Sequence, residues 1–150
     1  MARIPEILKI AQNRGSDANL PYDGALLPTE AFEVLNGSAV AVLVDVRTRA
    51  EIDWVGFVPG AIHIEWQDYP ACHLNTRFID ELRQSVPDDG LLLFICRSGA
   101  RSHSAASAAT AAGFAGCYNV LQGFEGSRDA QGHRNILGGW RAAGLPWKQN

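Results

Sequence analysis

Two apolar runs, "AVAVLVDVR" over residues 39–47 and "GLLLFIC" over 90–96, constrain the fold more than any other feature of the chain. Each is continuous where a half-exposed strand would alternate, so each must be covered on both faces, as the strands of a parallel sheet are. Helices have to supply that cover. "IPEILKIAQNR" places Ile4, Ile7, Leu8 and Ala11 at helical spacing, with Pro5 tolerable in a first turn. "PTEAFEVLNG" reads as a second helix, with Thr29 as cap, Glu30 in the first turn and Gly37 just past the end. "NTRFIDELRQSVP" carries Phe78, Ile79 and Leu82 on one helical face and stops at Pro87. "GARSHSAASAATAAGF" is helical by its alanine content and ends at Gly113. "GAIHIEW" and "GCYNVLQG" read as further strands, and "ALL" is a short apolar piece before the second helix. Strands alternating with helices predict an α/β fold with a parallel sheet and right-handed crossovers.

A chain of 150 residues, 47% of them hydrophobic, can bury one core and is too short for two ordinary domains. The expected organisation is an N-terminal helix and linker over residues 1–23, then one domain over 24–150. The formal net charge of −3 and the scattered arginines argue against a nucleic-acid partner. No apolar run approaches the roughly 18 residues of a membrane span, and the N-terminus lacks the apolar core of a secretory leader, so a cytoplasmic protein with no membrane partner is expected. Cys72, Cys96 and Cys117 are odd in number and form no C-x-x-C pair, which fits neither a disulfide framework nor a zinc site. All three are expected to rest as thiols, with no metal.

"CRSGARS", Cys96 to Ser102, is where chemistry concentrates. The strand "LLLFI" delivers Cys96 to its carboxyl end, the edge at which open α/β sheets bind ligands, and the chain turns at once into a helix beginning near Gly99 or Ala100. Backbone N–H groups in such a turn converge as an anion-holding nest, and the helix N-terminus adds positive partial charge on the same side. Helix N-termini and neighbouring arginines lower a cysteine pKa from about 8.5 into the range of about 3.5–7.5, which makes thiolate the expected form at neutral pH. Gly99 frees the bend from a Cβ, and the small Ser102, Ala105, Ala106 and Ala109 let the helix approach the sheet. A lone unpaired cysteine is ordinarily a small buried hydrophobe. Arg97, Gly99, Arg101 and the strand–turn–helix setting, taken together, favour a nucleophile instead.

"CRSGARS", with "LVDVRTRAEI" and "GFVPGAIHI" upstream, resembles the rhodanese domain, over roughly residues 24 to 147. Three separated motifs occur in the order that family has them. The resemblance implies a five-stranded parallel sheet flanked by α-helices on both faces, and a sulfurtransferase chemistry passing through a cysteine persulfide. It implies that Cys96 carries the sulfur and that Arg97, Ser98, Gly99, Ala100 and Arg101, with Ser102 following, form the loop around it. Asp45 and Arg47 match the family's D-x-R pair, mainly structural there, and Glu51 matches its acidic neighbour. Phe57 stands where the family's G-H-I-P-G-A segment has histidine. The end of the chain is stretched, with a loop inserted over residues 123–139, which is expected near the mouth of the site.

Cysteine phosphatases use C-x5-R, a loop sized for a tetrahedral phosphate, whereas Cys96 to Arg101 is C-x4-R. The smaller ring suits one sulfur atom, and no general acid for a phosphate leaving group stands out. The expected reaction takes a sulfane sulfur from thiosulfate or a persulfide donor and passes it to cyanide, a thiol or a protein sulfur acceptor, with no cofactor. A phosphatase or arsenate reductase, and a relay module that only carries sulfur or docks, are the alternatives. Asp45 with Arg47 reads as a buried strand-end pair, His63 as structural, His103 as solvated and Cys117 as strand core. Cys72 reads as inert, with resolution of a persulfide as its other option. Trp54, Trp66 and Phe124 are candidate pocket walls or plain core.

Overall fold

The period of two along a strand puts alternate side chains on opposite faces, and here both faces are apolar. In the computed structural model, which describes residues 3–150, Leu92 and Phe94 point into one core and Leu93 and Ile95 into another. All four are buried because the strand that carries them, β4 (Leu91–Ile95), runs through the middle of the sheet. The elements in chain order are α1 (Arg3–Asp17), β1 (Gly24–Leu26), α2 (Pro28–Gly37), β2 (Ala41–Asp45), α3 (Arg49–Trp54), β3 (Ile62–His63), α4 (Phe78–Ser85), β4, α5 (Ala100–Ala111) and β5 (Cys117–Val120). The sheet order is β1-β5-β4-β2-β3 and every pairing is parallel. The expected five-stranded parallel sheet with helices on both faces is present.

One face is covered by α4 and α5, through Phe78, Leu82, Ala105, Ala106 and Ala109. The other is covered by α1 and α2, through Ile7, Ala11, Ala31 and Val34. The first helix therefore packs on the sheet with Ile7 and Ala11 buried, and it runs three residues beyond Arg14, into the segment expected as linker. Gly24 fits against it so closely that a Cβ there would lie 2.5 Å from the Ala11 carbonyl oxygen.

Local details differ from the sequence-based expectations for identifiable reasons. The cap of α2 is Leu27, not Thr29, because the Glu30 carboxylate reaches back to accept the Leu27 N–H at 2.8 Å. The "GAIHIEW" strand shrinks to Ile62–His63, which pairs with Val44 and Asp45 at the sheet edge. Helix α3 was not expected: with one buried residue, Ile52, it shows no apolar periodicity. No helix among the described residues is long and apolar enough to cross a membrane.

Candidate active site

The carboxyl end of β4 hands the chain to α5 through Cys96, Arg97, Ser98 and Gly99. Gly99 caps α5 in the left-handed region at φ 108°, where an L side chain would be strained. That conformation aims the Gly99 N–H back at the Cys96 Sγ, 3.1 Å away. The first-turn amides of α5 have no intrahelical partner, so the helix presents further donors on the same side. Cys96 itself is 1% exposed, a thiol enclosed by its loop.

A second contact to the sulfur comes from α5. Ser102 Oγ lies 3.3 Å from Sγ and donates to Asn119 Oδ1 at 2.6 Å. Asn119 is oriented by its own Nδ2, which donates to the Gly99 carbonyl at 3.2 Å. Strand β5 thus holds both ends of the turn. With its proton on Asn119, Ser102 offers a lone pair to a protonated thiol, and rotation of the hydroxyl offers a proton to a thiolate.

Two arginine–carboxylate pairs stand beside this loop. Arg101 Nη1 and Nη2 bind Glu51 at 2.7 and 3.0 Å, so its guanidinium is tied to α3 as well as placed beside the loop. Glu51 also accepts the Thr48 N–H and hydroxyl, while Thr48 Oγ1 accepts the Glu51 N–H: a reciprocal cap that builds α3. Burial opposes ionisation of Glu51, but the bonds and charge of Arg101, helped by Thr48, overcome it and bring the carboxyl down to about 2. For Arg101, burial disfavours the cation, and Glu51 together with charge at Cys96 and Asp45 outweighs that, raising its pKa. The second pair is Asp45 with Arg47, at 0% and 1% side-chain exposure for Arg47 and Asp45. Arg47 also donates to the Gly56 carbonyl at 2.8 Å and lies 4.2 Å from the centre of the Phe124 ring. These contacts tie the turn after β2 to the segment at Gly56 and to the Phe124 ring.

The segment after β5 locks the loop from behind. Phe124 N–H donates to the Cys96 carbonyl at 2.8 Å and Glu125 N–H to the Arg97 carbonyl at 3.0 Å. Gly123, at φ 65°, permits this approach: a Cβ would stand 2.5 Å from the Cys96 oxygen. The 123–139 segment therefore lies against the loop, and its Arg134 lines the cavity outside it. That cavity, of about 510 Å³, is bounded by Glu51, Arg97, Arg101, Glu125, Arg134 and Cys72.

Other expectations meet mixed outcomes. His103 is half-buried rather than freely solvated: its Nδ1 lies 2.7 Å from the Tyr22 hydroxyl, with the rings edge to face. Trp66 packs against Phe78, and Phe124 is fully buried under Arg47, so neither walls the cavity. Trp54 does line it, at 84% exposure. Cys117 is buried, and that burial pushes its thiol up to about 11. His63 binds the Arg47 carbonyl at 2.6 Å. Phe57, in the histidine position, pairs its backbone with Lys148 at 2.8 and 2.9 Å. Missed from sequence were Thr48, whose T-x-x-E spacing to Glu51 is a visible capping signal, and Asn119, Glu125 and Arg134, which carry none.

The model of the rhodanese-like domain matches residues 28–130. The chain belongs to the rhodanese-like domain family. That family includes both sulfurtransferases and phosphatases. The crystal structure of Rv0390 from M. tuberculosis is similar at 44% identity, covering 86% of this chain and 99% of that one with a TM-score of 0.79. The Rickettsia conorii protein RC0915 is 37% identical over 128 residues, 80% of this chain and 93% of its own. The rhodanese-like domain of the Anabaena protein Alr3790 shares the fold at 16% identity and a TM-score of 0.62, covering 84% of this chain and 79% of that one.

Proposed function

We propose that this rhodanese-like protein is a sulfurtransferase that carries a sulfane sulfur as a persulfide on Cys96. The Cys96 thiolate attacks the outer sulfur of thiosulfate or an organic persulfide. A sulfur–sulfur bond forms at Cys96, the donor's sulfur–sulfur bond breaks, and sulfite or a thiolate leaves with the electron pair. Cyanide or an acceptor thiolate, free or on a protein, then attacks the outer sulfur and returns Cys96 as thiolate. Oxidation levels balance, so no cofactor is called for.

The observation that carries this reading is the small ring closed on one sulfur. Gly99 N–H and Ser102 Oγ both meet Sγ, and Arg101, which would close a phosphate-sized loop, comes one residue early and is bound to Glu51. When the acceptor cleaves the persulfide, negative charge develops on Sγ, and donors placed there in advance are worth on the order of 10²-fold in rate each. Intact mass after incubation with thiosulfate tests the idea: one added sulfur is expected, removable by cyanide and lacking in Cys96→Ser. An adduct that persists in Cys96→Ser, or turnover of an aryl phosphate as fast as that of thiosulfate, would overturn it.

A further inference from the structure

The cavity above the loop is far larger than a compact dianion such as thiosulfate, and it is not the only space there. A second cavity of about 530 Å³ adjoins the loop at Ser98 and is otherwise lined by the inserted segment, including Ser127, Arg128 and Arg134. Arg134 lines both, so it stands between them. Its Nη1 donates to the Gly126 carbonyl at 2.6 Å, which fixes the guanidinium to the inserted segment.

The lining of the two cavities holds Arg97, Arg101, Arg128 and Arg134 beside Glu51, Asp68, Glu125 and Asp129, and the second cavity taken alone holds Arg128 and Arg134 against Asp129. Arg97, Arg128 and Arg134 form no ion pair among the described residues. Two of the acids are held by local bonds that fix their direction. Glu51 is held by Arg101 and Thr48, and Asp129 Oδ1 accepts the Gln131 and His133 N–H groups, both at 2.9 Å. Glu125 partly offsets the cations around Arg134, but burial first, with the charges of Arg97, Arg128 and Arg101, lowers the guanidinium below its ordinary pKa. An anion held between Arg134 and Arg128 would relieve the repulsion that neighbouring guanidinium groups exert on Arg134.

We propose that Arg134 and Arg128 make the inserted segment a second anion subsite, selecting a donor that is an organic persulfide with an oxyanion group remote from its sulfur. The proposal rests on the sulfurtransferase reading and names its substrate class. In the reaction Cys96–S⁻ attacks R–S–SH at the outer sulfur, a sulfur–sulfur bond forms at Cys96, the donor's own sulfur–sulfur bond breaks, and R–S⁻ leaves with the electron pair while its anionic tail stays on Arg134. The fork of arginine suits carboxylate and phosphate alike.

The test compares glutathione persulfide, with carboxylates, phosphopantetheine persulfide, with a phosphate, and cysteamine persulfide, with a cationic tail. Wild type should load Cys96 from at least one anionic donor with kcat/KM on the order of tenfold above the cationic one. Arg134→Glu and Arg128→Glu should each abolish that preference, Arg134→Lys should keep part of it, and Arg77→Glu, the same charge change outside both cavities, should leave it intact. Arg128 is exposed and makes no hydrogen bond, so its variant guards against misfolding of the Arg134 one. Which anionic donor is preferred tells carboxylate from phosphate. Equal use of all three donors overturns the subsite and leaves the sulfurtransferase reading standing. A separate arm measures calorimetric binding of the unreactive S-methylglutathione and S-methylphosphopantetheine. Binding that Arg134→Glu weakens about tenfold, in a protein that accepts sulfur from no donor, would sink the reaction and keep the subsite.

Discussion

Two arginine–carboxylate pairs stand beside the same loop, and burial separates them. Asp45–Arg47 is sealed from solvent, with Phe124 and the Gly56 carbonyl as its other neighbours. Glu51–Arg101 keeps 19% and 18% side-chain exposure and borders the cavity. The sealed pair joins pieces of backbone and faces no ligand. The half-open pair positions a cation at the rim of the site, where exposure lets it meet a substrate. The lesson is that an ion pair's surroundings decide whether it serves the fold or the chemistry.

The comparison breaks first at Arg47. Arg47→Ala strands Asp45 in the interior, and removing one partner of a buried pair costs about 3–5 kcal/mol. Denaturant unfolding should show that loss, with much of the protein insoluble. A cost under about 1 kcal/mol would mean that the pair is not sealed as described. Glu51→Gln is the next largest. The folded carboxyl sits near 2, below its ordinary 4.5, so its stabilisation is complete above about pH 4.5 and drains away as pH falls toward 2. We expect a loss on the order of 2 kcal/mol at neutral pH, reduced from the bare linkage value by partial exposure, and an acid limb between pH 4.5 and 2 that is flatter than in wild type. Its sulfur loading should slow on the order of tenfold as Arg101 loses its anchor. A Glu51→Gln protein with wild-type loading would remove the distinction between the two pairs. The smallest effect belongs to the exposed Arg49–Asp53 pair, at 70% and 40% exposure, where Asp53→Ala should cost no more than about 0.5 kcal/mol in the same unfolding measurement.

Legibility followed sequence distance. The sheet was readable because "AVLVD" and "LLLFI" need cover on both faces, and each strand signals that by itself. Cys96, Gly99 and Ser102 were readable because the strand, turn and helix that place them are contiguous. Glu51–Arg101 was not: its members are fifty residues apart, and nothing in one sequence marks them as neighbours. Asn119 hid in the same way, a polar residue in an apolar strand whose partner, Ser102, comes from another element. His103 was misjudged because its companion, Tyr22, arrives from the N-terminal segment. Phe124 was left between pocket wall and core because an aromatic after a glycine does not announce that a guanidinium lies on its ring.

The bond from Phe124 N–H to the Cys96 carbonyl has a consequence for biosynthesis. A nascent chain that has left the ribosome through Val120 already owns every strand of the sheet, yet the clasp behind the cysteine is still missing. Glu125 on Arg97 and Trp140 on Gly123, at 3.0 and 2.8 Å, come later still. The thiol's loop is therefore fastened only after Phe124, Glu125 and Trp140 have been made. Chains abandoned before that point carry every strand of the sheet but lack Phe124 and Trp140 from its core, and their nucleophile is unfinished.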